Sequence, residues 1–490
     1  MIASRRVARC RQLLRQANWQ HPKIMQGNIN QTELAIANAP TTAVPFSFGI
    51  IGDTDPGLSK DQPMASEAFV EQLMQQLGES RFLLHTGDVA YPIGSYESYL
   101  NGFLRPYRAL LSSLPQHFTY RSDAVVFKQP LLPVPGNHDC ADLPIAARWR
   151  HSLLRFLSDR LRQLDIDIGC YGGYGGEAYS QTFLDNLHRL SEEQLMTHLA
   201  THYSANSSPS ASTATAPGRS PSYCLNYRPG EFTRLPNCYY HFRYGGIDFF
   251  ALDSNTWNGP PEIAEFDHEQ LSWLERGLIA SWQTPGTYGR IVYLHHSPYT
   301  TEETRWHRSE TLWVRRHLRS VLDRVAARLN QTVLEEQSVS EIFSNNSRPP
   351  LVDLIISGHA HCLEHIHTTN TGHADAYLDW IVCGGSGASL RRRRSDSSAD
   401  ILERLAIQTG IPHRRYTSVV AQSQCYVGAS GSQPQGRSFI RVDVTPEERQ
   451  KFVVRPFVVT QSSQGWQTHA LAPLDIGAAR RHCALPICSR

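Results

Sequence analysis

Five short apolar runs along the chain each stop abruptly at side chains that bind protons or cations better than they pack. Residues 45–51 end at Gly52-Asp53-Thr54-Asp55, and residues 81–85 end at Thr86-Gly87-Asp88-Val89-Ala90-Tyr91. Residues 129–135 end at Gly136-Asn137-His138-Asp139. Residues 290–294 end at His295-His296-Ser297-Pro298, and residues 351–356 at Ser357-Gly358-His359-Ala360-His361. Aliphatic and β-branched runs of this length, bounded by glycine or proline, predict buried strands. Between them the apolar spacing changes to three and four residues over 64–77, 96–111, 145–164, 268–278 and 311–329, which predicts helices. Strand, polar loop and helix in repetition predict an α/β layered domain. In such sheets ligands gather beyond the carboxyl ends of the strands, and all five polar clusters fall at those ends.

The remaining pattern sets boundaries. Residues 238–244 and 247–252 are apolar runs joined by Gly245-Gly246, a hairpin signature. Asp253-Ser254-Asn255 then leads toward a helix with Asp267 as its expected N-cap. Residues 438–444 and 452–459 predict a second hairpin that completes a second sheet. Residues 204–222, rich in Ser, Thr, Pro and Ala, lack the apolar surface to offset chain ordering and are expected to form a structureless insertion. The glycine- and tyrosine-rich stretch 171–176 fits either a surface loop or a cover over the mouth of a site. The expected organisation is a polar extension over 1–42, one large domain over 43–465 and a tail or edge over 466–490.

The polar clusters supply Asp53, Asp88, Tyr91, Asn137, His296, His359 and His361. Hard oxygen donors mixed with imidazoles, and no required thiolate, suit iron, zinc or manganese better than calcium. Asp88, central in chain order and preceded by a glycine, is the natural bridge between two cations. Paired metals about 3.5–4 Å apart clamp substrate oxygens for in-line displacement at phosphorus and lower the pKa of bound water from about 15.7 toward 7. His295 and His296 compete for one position. His296 fits a His-x-Pro pattern, and His295 points to the opposite face if the strand continues, so His296 is the expected ligand. Asp55 fits a turn through Asp55-Pro56-Gly57 or an extra carboxylate ligand. His85, inside a strand, reads as a hydrogen-bonded interior residue, and His365 and His367 as ordinary strand or surface residues.

This ordered set resembles the calcineurin-like metallophosphoesterase superfamily, and within it the purple acid phosphatase branch. Gly87-Asp88-Val89-Ala90-Tyr91 matches the Gly-Asp-x-x-Tyr of that branch. Gly136 to Asp139 matches Gly-Asn-His-[Glu/Asp], His296-Ser297-Pro298 matches His-x-Pro, and Gly358 to His361 matches Gly-His-x-His. The resemblance spans residues 45–387 apart from the insertion. It implies a four-layer sandwich of two mixed β-sheets flanked by helices. It implies one metal held by Asp53, Asp88, Tyr91 and His361, and another held by Asp88, Asn137, His296 and His359. A tyrosine phenolate favours ferric iron at the first position, with Fe(II), Zn or Mn at the second. His138 would contact the phosphate and protonate the leaving oxygen. The implied activity is an acid phosphatase-type hydrolysis of phosphomonoesters by metal-bound hydroxide. A phosphodiesterase or nucleotidase on the same fold, and a non-catalytic binding protein, are the alternatives. The chain departs from the branch at Asp55, where the branch usually has glycine.

Composition narrows the partners. Lys and Arg number 47 against 45 Asp and Glu, a net charge of +2, so no global field steers the chain onto nucleic acid. The expected partner is a small phosphate ester. Arg391-Arg392-Arg393-Arg394 fits a solvated loop or a contact to an anion. Ten cysteines are too few for a disulfide framework, although Cys224 with Cys238, or Cys483 with Cys488, are pairs an oxidising compartment would allow. Cys140 and Cys362 read as small buried neighbours of the site, or as oxidation-sensitive thiols if exposed. No apolar stretch reaches the roughly 18 residues of a membrane span. Ser4-Arg5-Arg6-Val7 is followed by no apolar export core, which leaves cytoplasmic location as the default and a basic organelle-targeting segment as the alternative.

Overall fold

The computed structural model describes residues 20–54, 62–91, 93–113, 125–140, 176–205, 222–257, 267–335, 350–387, 390–396, 398–406, 415–429, 436–446 and 452–477. Two sheets dominate. One has six strands in the order Gly465–Ala470, Phe452–Ser462, Arg437–Val444, Phe46–Ile51, Leu83–His85 and Leu131–Pro133. Its last three strands run parallel and carry the first three polar clusters at their carboxyl ends. The other sheet has eleven strands, and its centre is formed by Tyr240–Tyr244, Ile247–Leu252, Gly289–Leu294, Leu354–Ser357 and Asp379–Cys383. Gly289–Leu294 and Leu354–Ser357, again parallel, carry the last two clusters. Three loops from one sheet and two from the other therefore meet at one edge of the sandwich.

Side chains alternate between the faces of these strands, so each strand feeds two cores. Facing inward, Phe48 meets Phe249 edge-on at 5.5 Å and stacks on Phe82 at 5.1 Å, while Phe82 meets Phe242 at 5.7 Å. These rings, all fully buried, hold the two sheets together. Phe250, Val292 and Leu294 face the other way and pack with Leu274, Leu278, Val314 and Leu318 from the helices His268–Gln283 and Ser309–Glu335. Gln62–Leu77 covers the six-stranded sheet, with Phe69 against Phe439 at 5.8 Å. Helix, sheet, sheet, helices is the α/β layering that the strand pattern predicts and the four-layer sandwich that the family resemblance implies.

Both predicted hairpins form. Tyr240–Tyr244 and Ile247–Leu252 pair antiparallel across Gly245 and Gly246, whose φ values of 55° and 78° are those of a primed turn. Arg437–Val444 pairs with Phe452–Ser462. Asp267 caps its helix by accepting from the Gln270 amide. The expected helix over 96–111 is instead a short α-turn at Tyr96–Ser98, a π-helix at Tyr99–Leu104 and a 3-10 turn at Arg108–Leu110. The expected helix over 145–164, Asp55, and residues 206–221 of the insertion lie outside the described residues. So do Cys483, Cys488 and residues 171–175. Ser204 and Ala205, assigned to the insertion, belong to the strand Tyr203–Ala205.

Part of the expected polar extension over 1–42 is ordered as a strand. Ile29–Ile36 is a strand inside the eleven-stranded sheet, parallel to Tyr223–Tyr227 on one side and Tyr240–Tyr244 on the other. Its sequence, Ile-Asn-Gln-Thr-Glu-Leu-Ala-Ile, hides it because Glu33 is bonded rather than solvated. Glu33 Oε1 lies 3.0 Å from His241 Nδ1, and His241 Nε2 lies 3.2 Å from Asp248 Oδ1. At the other end of the chain, Gly465–Ala470 is the edge strand of the six-stranded sheet. Cys224 and Cys238 are both buried and are not joined by a disulfide. Among the described residues no helix is long and apolar enough to cross a membrane.

The Glu33–His241–Asp248 chain makes a pH prediction. Burial disfavours the charged imidazole, but the two carboxylates outweigh it and push the His241 pKa up to about 10. A raised folded-state pKa contributes stability that is complete below the ordinary value of 6.5 and is lost as pH rises through about 10. His241→Gln should cost about 3 kcal/mol at pH 6. The deficit should shrink toward zero above pH 10 in urea titrations at both values. A cost independent of pH would contradict the assignment.

Candidate two-metal centre

The polar clusters close on one another around Asp88. The first group gathers about the Tyr91 hydroxyl. Tyr91 Oη is 2.8 Å from Asp53 Oδ1, 2.9 Å from Asp88 Oδ2 and 3.2 Å from His361 Nε2. His361 Nε2 is 3.6 Å from Asp53 Oδ1. The second group gathers about His295. Its Nε2 is 3.3 Å from Asp88 Oδ2, 3.2 Å from Asn137 Oδ1 and 3.1 Å from His359 Nδ1. Asp88 Oδ2 belongs to both groups. Its other oxygen accepts from the His138 amide at 2.7 Å.

These spacings fit cations. Two donors about 2.1 Å from one ion stand roughly 3.0 Å apart at right angles and 3.4 Å apart in a tetrahedron. The observed contacts are edges of that size. Protons alone serve the first group poorly, because the one hydroxyl hydrogen of Tyr91 cannot satisfy two carboxylates. Burial pushes Asp53 up to about 8 despite the His295 charge, with Asp88 adding to the rise. In Asp88 burial is outweighed by the His295 and His138 charges, which hold its carboxyl well below the usual range. A fully buried pair of carboxylates with converging oxygen and nitrogen donors is the chemistry of a metal cradle.

The backbone is built for this convergence. Asp53, Asp88 and His359 have φ values of 54°, 52° and 65°, a left-handed conformation that non-glycine residues adopt at a cost and that concentrates at functional sites. The strain turns each side chain back over its strand end. Gly136 lets two loops touch, since a Cβ there would stand 2.1 Å from the Asp88 amide nitrogen. Asp139 then ties the loops together. It accepts from the amides of Val89 at 3.0 Å and Gly136 at 2.8 Å and from the Tyr99 hydroxyl at 2.7 Å. Asp53 Oδ2 accepts from the His359 amide at 3.0 Å, joining the two sheets at the site itself.

Asp53, Asp88, Tyr91, Asn137, His359 and His361 are brought together as expected from their motifs. The structure brings both His295 and His296 to this place, with one ligand atom from each of His295, His296 and His359 within 4.8 Å of the other two. The strand ends at Leu294, so the alternation that would turn His295 away no longer applies. His295 Nδ1 donates to the Thr86 carbonyl at 2.8 Å, which leaves Nε2 aimed at Asp88 and Asn137. His296 Nδ1 is 2.8 Å from Ser254 Oγ, and its ring lies 4.5 Å from that of His359. The His138 ring lies 4.3 Å from the Tyr91 ring, on the half-buried side of the site. His85 is the interior residue expected: Gly87 N donates to its Nδ1 and Thr54 Oγ1 meets its Nε2, while burial drives its pKa down to about 3.

Several neighbours were not foreseen. Asn255 Nδ2 donates to Pro135 O at 2.9 Å and so supports the Asn137 loop, and Ser254 holds His296. The available signal was Asp253-Ser254-Asn255, a sixth polar cluster at the end of an apolar run. Glu310 Oε1 lies 3.8 Å from the buried His359 Nε2 and 3.4 Å from Arg305 Nη1. The arginine run is partly packed, with Arg392 exposed and Arg394 buried. Arg393 lies over Tyr426 and Arg394 over Trp306, while the Arg391 amide donates to His361 O. Burial and then the Arg391 charge drive His361 down to about 3. Cys140 and Cys362 are buried.

A family model for calcineurin-like phosphoesterases matches residues 46–363, and the chain belongs to that family. No curated protein matches it. Among solved structures, GAP50, the anchor in the inner membrane complex of Plasmodium, is 13% identical, with a TM-score of 0.37 over 90% of this chain and 95% of that one. The purple acid phosphatase PPD1 isolated from yellow lupin (Lupinus luteus) seeds is 13% identical, with a TM-score of 0.42 over 89% of this chain and 56% of that one.

The two histidines are separable by metal analysis. His295→Ala should release at least one equivalent of metal from the purified protein. His296→Ala should keep the wild-type content. The reverse pattern would restore His296 to the ligand position.

Proposed function

We propose that this chain is a binuclear metal-dependent phosphomonoesterase of purple acid phosphatase type. The observation that carries the reading is the phenol of Tyr91 set within hydrogen-bond reach of Asp53, Asp88 and His361. In this reading Asp53, Asp88, Tyr91 and His361 hold a ferric ion, and Asp88, Asn137, His295 and His359 hold Fe(II), Zn or Mn. When bound, the pair supplies an acidified water as nucleophile and positive charge for the phosphoryl oxygens.

The protein groups divide the remaining work. His138, beside the mouth and anchored through its amide to Asp88, donates a proton to the leaving oxygen, a role typically worth about 10²–10⁴-fold. Arg305 and Arg391 add positive potential from the side of His359 and His361, which favours a doubly charged monoester over a singly charged diester. Asp139 and Asn255 keep the Gly136–Asp139 loop fixed, so the proton donor and the Asn137 oxygen hold their spacing.

The test is hydrolysis of p-nitrophenyl phosphate and bis(p-nitrophenyl) phosphate by the metal-loaded protein. The monoester should be the better substrate, chelation should abolish turnover, and His138→Ala should lower kcat at least about 100-fold. A visible phenolate-to-iron absorption band should be present and should vanish in Tyr91→Phe. Undiminished turnover after complete metal removal would overturn the reading. A colourless, fully active zinc or manganese protein would overturn the assignment to the purple type.

A further inference from the structure

A second group of metal-ligand side chains lies outside the phosphoesterase centre. His365 and His367 sit on the strand Leu363–Thr368, which leads away from His361. Four and six residues along an extended chain correspond to roughly 13 and 20 Å. Being two residues apart, the two histidines share one face. Asp379 on the neighbouring strand is paired directly with His367, and Cys425 on the other neighbouring strand is paired directly with His365. Cross-strand partners project on the same side. One face of three adjacent strands therefore presents two imidazoles, a carboxylate and a thiol at one place.

Contact geometry goes beyond coincidence of position. Asp379 Oδ1 is 3.0 Å from His365 Nε2 and 2.6 Å from His367 Nε2. His365, His367 and Asp379 are 2%, 8% and 1% exposed, so this convergence is removed from water. The His367 Nε2 meets the Asp379 carboxylate as a close ion pair, and one ligand atom from each of His365, His367 and Asp379 lies within 4.8 Å of the other two. The other carboxylate oxygen is occupied, accepting from the Gly477 amide at 2.7 Å. His365, His367 and Cys425 line a cleft of about 750 Å³ whose far wall is the C-terminal segment, including Leu474 and Asp475.

We propose that His365, His367 and Asp379 form a separate site for a single transition-metal cation of the zinc class. A cation at the point where the three donor atoms converge would take a lone pair from each imidazole and from the carboxylate, in place of the two nitrogen–oxygen contacts. It requires the short nitrogen–oxygen contact to open by a few tenths of an ångström, toward the roughly 3.0–3.4 Å edge of a four-coordinate zinc shell. Two nitrogens and one oxygen exclude calcium and magnesium as preferred occupants. The fourth position faces the cleft beside Cys425, whose sulfur suits the same borderline-soft metals. Because the same carboxylate holds Gly477, the ion would fasten the C-terminal segment to the larger sheet.

The experiment counts metal on the full chain. Protein stripped with chelator and dialysed against Zn²⁺ is compared with His367→Gln and with Asp53→Asn/Asp88→Asn. His367→Gln should carry one equivalent fewer than wild type and keep kcat within about twofold. Asp53→Asn/Asp88→Asn should keep one equivalent, and the same variant loaded with Co²⁺ should show the visible bands of a low-symmetry cobalt site. Equal metal content in wild type and folded His367→Gln overturns the proposal. So does absence of both zinc and cobalt signal in folded Asp53→Asn/Asp88→Asn. Should neither variant melt cooperatively, a cobalt titration of the wild type ending at two equivalents overturns it and one ending at three supports it.

Discussion

The carboxylate of Asp88 stands where two rings of donors meet, and much of the chain is arranged to keep it there. One of its oxygens is shared between Tyr91 and His295, and the other is fixed by the His138 amide. Burying a carboxylate costs several kcal/mol unless charge compensates it. Here the compensation comes from segments far apart in sequence, so the favourable electrostatics exist only when both sheets are in place. The centre is thus a product of the sandwich and also a brace across it, through the bond from the His359 amide to Asp53.

The energy for this arrangement is drawn from the aromatic layer beneath it. Phe46, Phe48, Phe82, Phe242 and Phe249 are buried between the sheets, and rings of that size contribute more per residue than any other core side chain. That rigid floor lets Asp53, Asp88 and His359 be held in left-handed backbone, each at a cost of about 1–3 kcal/mol. The strained residues are ones that point into the centre, while Asp139 absorbs the loop amides that the sharp turns leave over. Strain, packing and charge are separate contributions to one geometry.

Much of this was legible without coordinates because strand endings are local. An aliphatic run followed by Gly-Asp or Gly-His declares both a buried strand and the polar residue at its carboxyl end, and five such endings in order constrain the fold as well as the centre. Gly245-Gly246 likewise declares its turn through backbone freedom alone. The strand at Ile29–Ile36 was not legible, since its Glu33 reads as solvent-facing until His241 arrives from more than two hundred positions away. His365 and His367 read as unremarkable for the same reason, because Asp379 and Cys425 meet them only through sheet pairing.

The chain on its own indicated most of the strands that carry the polar clusters, and it singled out Asp53, Asp88, Tyr91, Asn137, His359 and His361, which the fold brings together. These follow from residue type and short-range spacing. Tertiary structure alone turned His295 toward Asp88 and Asn137, because its orientation depends on where the strand stops and on the Thr86 carbonyl, which comes from the opposite sheet. It also decided which arginines pack and which face solvent, since Tyr426 and Trp306 cover Arg393 and Arg394 only once the strands have assembled. Local sequence specifies what a side chain offers, and long-range packing specifies what it meets.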